Sequence, residues 1–237
     1  MCTRYMLLRP GSEVGALLGL DSFPETGPRY NAAPGQSIPL VRRANRSGRK
    51  REATALRWGL VPAWSPTPAM RPPLINARAE SAAEKPAFRD AIRQRRCAVP
   101  ADGFYEWKRT AGGPMPWLFE DNTGGLLLLA GLWERWAGPG AEPLESFAVL
   151  TTAPNALVAP LHDRMPALIP AESLDEWLDV ATPPARLSQL LAPCPAERLR
   201  ARAVNPRLNN AANDDAACLA PPPPQAPPAH QLDFGIG

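Results

Sequence analysis

Apolar positions along the chain gather into short runs separated by polar turns. IPLVRR (38–43), TALRWGLV (54–61), CAVPADGFYEW (97–107), PWLFEDNTGGLLLLAGLWE (116–134) and FAVLTTA (147–153) predict strands. Within the fourth run, DNTGG (121–125) separates two apolar halves and predicts a hairpin turn. Helical spacing is rarer. It occurs in EVGALLGL (13–20), PAFRDAIRQRR (86–96) and AESLDEWLDV (171–180), the last beginning with acidic and serine residues suited to a helix N-terminus. Strands crowd the middle and helices lie around them. This order predicts an α+β single domain with a curled, mainly antiparallel, barrel-like sheet and peripheral helices. APPPPQAPPAH (220–230) is Pro-rich, so the domain is expected to cover 2–219 and to be followed by a polyproline-like, disordered tail at 220–237.

Composition narrows the function classes. The 237 residues are 45% hydrophobic and 21% charged, as in an ordinary globular protein. A net charge of +3 is too small to announce a nucleic-acid partner, so any such surface must be local. No run reaches the length of a membrane span, and residues 1–20 mix Arg, Gly and Glu with apolar residues, unlike a signal peptide. A cytoplasmic protein without membrane partners is expected. Its four cysteines, Cys2, Cys97, Cys194 and Cys218, form no C-x-x-C and read as free thiols, with Cys97 a buried core residue. The two histidines, His162 and His230, rule out a histidine-rich zinc site, and neither a metal nor a cofactor is expected.

Polar residues that interrupt the apolar runs are candidates for chemistry. In ADGFYEWK, period-2 alternation places Phe104 and Glu106 on one face and Tyr105 and Trp107 on the other. Glu106 is then either solvated on an outer face or held in an apolar site, where desolvation favours its neutral form and suits it to proton transfer. His162 in LHDRMP is a structural histidine or a participant in a site. Asn76, Arg78 and Glu80 share a face if LINARAES is extended; Asn76 either caps a following helix or donates to a substrate oxygen. The chain opens MCTRY, and removal of Met1 would make Cys2 the amino terminus; alternatively, position two merely tolerates a small residue. VRRANRSGRKRE supplies Arg42, Arg43, Arg46, Arg49, Lys50 and Arg51, read mostly as a solvated hairpin tip. Trp58 reads as core.

These segments are not independent. M-C-x-R at the start, RYNAAPGQ (29–36), RWGLVPAW (57–64), LINARAES (74–81), RRCAVPADGFYEWK (95–108), LTTAPN (150–155), LHDRMPALI (161–169) and VNPRLNNAAND (204–214) follow in one order. Together they closely resemble the SRAP family of SOS-response-associated peptidases, which are abasic-site-processing proteins. The resemblance implies recognition of abasic sites in single-stranded DNA and a covalent bond to the exposed deoxyribose aldehyde, with abasic-site lyase activity on the side. It assigns the nucleophile to Cys2 and the polar residues around it to Asn76, Glu106 and His162. Arg4 and Arg78 match residues that hold the DNA backbone, and Pro34, Trp64 and Thr151 fall on blocks lining the DNA path. The protein would act as a monomer, associated with the nucleoid when on DNA. The pattern departs at position three, where Thr3 stands in place of the usual glycine, and SPTPAMRPP before LINAR is longer than is common. Two rival readings stand beside this one: an N-terminal-nucleophile hydrolase using Cys2, and a non-catalytic single-stranded DNA-binding module.

Overall fold

The computed structural model describes residues 2–45, 50–69, 71–138 and 140–224. Its first strands are β1 (Tyr5–Leu7), β2 (Arg29–Ala32), β3 (Ser37–Arg43), β4 (Arg51–Trp58), β5 (Asn76–Arg78) and β6 (Arg96–Ala101). They are followed by β7 (Gly103–Thr110), β8 (Gly113–Asp121), β9 (Leu127–Trp136), β10 (Leu144–Thr152), β11 (Met165–Pro166) and β12 (Leu199–Ala203). Around them lie short helices α1 (Gly11–Leu17), α2 (Arg89–Gln94), α3 (Leu174–Leu178) and α4 (Pro184–Leu190). One sheet has the order β12-β8-β7-β1-β2; the other runs β11-β10-β4-β3-β6-β9. Because β9 also pairs with β10, the second sheet closes on itself through β4, β3 and β6. Pairing is antiparallel except where β10 meets β4 and β5. The curled, mainly antiparallel α+β architecture is therefore the one the strand pattern predicts.

Two long apolar runs change sheet partway. CAVPADGFYEW is cut at Asp102: β6 belongs to the closed sheet and β7 to the open one. The Asp102 carboxylate accepts the Leu8 and Arg9 amides at 2.6 and 3.1 Å and also pairs with the Arg9 guanidinium. The DNTGG segment likewise joins β8 to β9 across the two sheets, and these strands do not pair, so the expected hairpin is corrected. Asp121 Oδ1 takes the Thr123 and Gly125 amides at 2.9 and 3.2 Å, and Gly124 adopts φ 78°, so the turn serves as a crossing. Gly103 at the first crossing is required sterically, since a Cβ there would sit 2.7 Å from Phe119 O.

Helices follow the pattern with shifted ends. α1 stops before Gly19, whose φ of 60° leaves the helical region. The 86–96 segment is helical only over α2, because Arg96 already opens β6. Within 171–180, a 3-10 turn at Ala171–Ser173 precedes α3, and Ser173 makes no side-chain cap. The pattern gave no notice of α4 or β12. The main core lies between the sheets, with Trp58, Phe104, Phe119 and Phe147 fully buried. A second cluster of Met6, Tyr105 and Leu118 on the far face of the open sheet is covered by Val204, Leu208 and Cys218. Asn31 Nδ2 fastens that covering segment by donating to the carbonyls of Leu208, Asn210 and Asn213 at 2.8–3.1 Å. All four cysteines are buried free thiols. Residues 225–237 of the Pro-rich tail, His230 among them, lie outside the described residues, as do Arg46 and Arg49. Among the described residues no helix is long and apolar enough to cross a membrane.

Candidate active site

Asn76 opens β5 on a fixed base. The preceding carbonyl, Ile75 O, accepts from Val149 N at 3.0 Å and from Trp58 Nε1 at 2.9 Å. Trp58 is itself held by a stacked Phe147, centroids 6.0 Å apart, and a tilted Tyr5 at 5.9 Å. From this base Asn76 Nδ2 donates to Cys2 O at 2.9 Å. The side chain thus holds the segment entering β1 and caps no helix. Asn76 Oδ1 is buried without a hydrogen-bond partner among the described residues. An unsatisfied buried acceptor costs about 1–3 kcal/mol, a cost that a donor arriving beside Cys2 would relieve.

β7 supplies Glu106. The predicted alternation holds: Phe104 joins the main core, whereas Tyr105 and Trp107 face the second cluster. Glu106 is 1% exposed, which excludes the solvated alternative. Burial raises its carboxyl from an ordinary 4.5 to about 7, with the positive charge of the chain terminus acting the other way. His162 follows Leu161 in the loop before β11, and its Nε2 lies 4.0 Å from Glu106 Oε2. Its Nδ1 accepts the Arg164 backbone N–H at 2.9 Å. Burial holds the imidazole below its ordinary pKa, so the ring is neutral at pH 7.

Cys2 is fully buried, its thiol donating to Arg4 O at 3.6 Å. Burial first, and the Glu106 charge second, push the thiol well above the ordinary thiol range. The resting sulfur is therefore a protonated thiol that needs a base to act as a nucleophile. Four residues scattered from position 2 to position 162 meet here: a thiol, an amide, a carboxyl poised near neutrality and a neutral imidazole.

The remaining candidates distribute unevenly. Arg4 is half-buried; its Nη1 donates to Thr3 O at 2.9 Å, and its buried Nε has no partner among the described residues. Arg78 ends β5 with its side chain exposed. Pro34 is partly buried two residues beyond Ala32, the partner of Tyr5, and so sits at the Cys2 end of β1 and β2. Trp64 is 62% exposed, whereas Trp58 is core, as expected. Thr151 is fully buried, and its hydroxyl donates to Ala77 O at 3.4 Å, tying β10 to β5.

The described cations of the basic stretch, Arg42, Arg43, Lys50 and Arg51, lie away from these residues. Arg42 pairs with Glu52 and Glu145, Arg43 and Arg51 approach Asp175, and Lys50 meets Asp21. Glu145 stands near the start of β10 and Thr151 near its end, so about 20 Å of strand separates them. Sequence reasoning passed over Arg164, which sits two residues from His162 and whose Nη2 donates to Thr151 O. Its forked contact with Glu80, at 3.0 and 2.8 Å, joins positions 84 residues apart, which no local pattern signals.

Comparison with known proteins agrees with this arrangement of segments. The sequence model of the SOS response associated peptidase family (SRAP) matches residues 1–211. The abasic site processing protein YoqW of Bacillus subtilis is 36% identical over 219 residues, covering 90% of this chain and 96% of that protein. The abasic site processing protein HMCES of Gallus gallus is 30% identical over 220 residues, covering 81% of this chain and 65% of that protein. A crystal structure of a Bacteroides thetaiotaomicron protein shares the fold, with a TM-score of 0.81 at 24% identity over 93% of this chain and 99% of that one. A Bordetella bronchiseptica structure gives 0.72 at 27% identity, over 86% of this chain and all of that one. With the match spanning nearly the whole described fold and all four site residues inside it, the chain belongs to the SOS response associated peptidase family, SRAP.

Proposed function

We propose that this protein recognises abasic sites in single-stranded DNA and bonds covalently to the open-chain deoxyribose through Cys2, once Met1 has been removed. The observation that carries the reading is the meeting of Cys2, Asn76, Glu106 and His162 around the start of the chain. The names of the relatives YoqW and HMCES point to the same lesion. An amino-terminal cysteine offers an amine and a thiol two carbons apart, and an aldehyde can close both into a five-membered thiazolidine. An internal cysteine has no such amine.

The Cys2 amine adds to C1′ and gives a carbinolamine. Glu106 in its protonated form delivers a proton to the departing hydroxyl, which leaves as water and yields the iminium. The Glu106 carboxylate then takes the thiol proton as sulfur attacks C1′, and the ring nitrogen keeps its hydrogen. Net, one water is lost and Glu106 is regenerated. A carboxyl of pKa about 7 is populated in both forms at neutral pH, as this double duty requires. Neutral His162 faces the same space and is suited to open the sugar ring or to assist elimination at the 3′ phosphate. The same iminium acidifies C2′, so strand cleavage by β-elimination competes with thiol capture. Arg4 and Arg78 hold the phosphates, and Trp64 stacks on a base beside the lesion. Holding aldehyde and aminothiol together makes the condensation intramolecular.

The test is a denaturing gel of the protein mixed with single strands carrying or lacking one abasic site. A shifted covalent band is expected only with the lesion and only with Cys2 intact. A band that persists in Cys2→Ala, or that forms on undamaged strands, would refute the assignment.

A further inference from the structure

One arginine ties the loop that carries His162 to the strands beside it. Arg164 donates its backbone N–H to His162 Nδ1 at 2.9 Å, while its guanidinium reaches Thr151 O and forks onto Glu80 at 3.0 and 2.8 Å. Thr151 O also accepts the Ala79 amide at 2.9 Å, so β10, the end of β5 and the histidine loop meet at one point. The Arg164 side chain is 13% exposed and that of Glu80 55%, so the carboxylate lies on the outer side of the pair.

From this linkage we infer that Glu80 is a positioning residue: through Arg164 it holds His162 as the Nε2–H tautomer, with that hydrogen directed at Glu106 and the Cys2 site. The inference rests on the proposed function for its purpose but not for its geometry. A backbone N–H can only donate, so Nδ1 must carry a lone pair and the ring proton must sit on Nε2. Asp163 Oδ1 lies 3.0 Å from Nδ1, but its side chain is 83% exposed and free to turn to water, whereas the Arg164 amide is fixed by the loop. The other charged groups acting on the ring are Glu106 at 4.0 Å, Arg109 on β7 and the chain terminus. Without Glu80, the Arg164 guanidinium loses its outer anchor and keeps only its bond to Thr151 O, so the 164 amide is held less firmly under Nδ1.

Two histidines make the readout simple. Nitrogen-15 imidazole spectra of the full chain at pH 7.5, with His230→Gln to identify the tail signal, should show His162 as one neutral Nε2–H tautomer. Glu80→Gln should give a mixture of tautomers, and Glu80→Asp should restore the single form in part. The crosslinking rate at saturating abasic strand should fall about tenfold to a hundredfold in Glu80→Gln and recover in Glu80→Asp. Its affinity for an undamaged strand should hold or rise as a negative charge is removed. A Glu80→Gln protein with the same single tautomer would overturn the assignment, as would an unchanged crosslinking rate. Wild-type protein that shows the tautomer yet never crosslinks would sink the proposed function instead, leaving the positioning of the ring supported.

Discussion

At the scale of single residues, the site is built from groups placed where they are uncomfortable, and that discomfort can be measured. Glu106 holds its proton more tightly folded than unfolded between its ordinary 4.5 and about 7. Stability from this group is therefore fully present below pH 4.5 and lost as pH rises through 7. Glu106→Gln removes that dependence. Relative to wild type it should gain on the order of 3 kcal/mol between pH 4.5 and pH 8.5 by urea unfolding, while crosslinking slows by at least about a hundredfold. An identical pH dependence of stability in both proteins would show that Glu106 titrates as an ordinary carboxylate. Cys2→Ser keeps the amine but closes only an oxazolidine-type ring, so its trapped adduct should fall apart on heating where the wild-type adduct survives. Cys2, Asn76, Glu106 and His162 each have an ordinary alternative when taken alone, and the sequence singles them out only through the resemblance carried by the ordered blocks in which they fall. Glu80 and Arg164 were not assigned roles, because their pairing exists only once β5 and the histidine loop meet. The burial of Thr151 was hidden for a different reason: a threonine in a strand looks the same from the sequence whether it faces solvent or core.

Strands and turns show where sequence patterns stop. The apolar runs predicted strands, and strands they are; what the pattern could not show was that two runs leave one sheet and enter another. DNTGG has the composition of a hairpin turn, yet Asp121 spends its carboxylate on the turn amides and the flanking strands diverge. Asp102 does comparable work at the other crossing, and its effect reaches the site. It fixes the residues that follow β1, the strand into which the Cys2 segment leads. Asp102→Ala should therefore cost about 3 kcal/mol by leaving two amides and a guanidinium without their acceptor. It should also slow crosslinking although Asp102 touches none of the site residues. Loss of stability by urea unfolding with an unchanged crosslinking rate at saturating DNA would mean that the end of β1 is not what positions Cys2.

For the whole molecule, charge and topology divide the work. A net charge of +3 gives little general attraction to DNA, and the basic 42–51 stretch has its described cations paired at the far end of β10. On the proposed reading, binding comes from few phosphate contacts near the site. Plots of log affinity against log salt for an undamaged single strand should be shallow, and Arg78→Ala should flatten them by about 0.7, the share of one phosphate contact. An unchanged slope would remove Arg78 from the DNA path. The central claim remains the bond itself, and the most direct measurement is the mass of the amino-terminal peptide after reaction with an abasic strand and digestion of protein and DNA. The account predicts a peptide that begins at Cys2 and carries the sugar remnant with one water lost, its amine and thiol both unreactive. A remnant on any other residue, or a Cys2 peptide that still has Met1 attached, would contradict it.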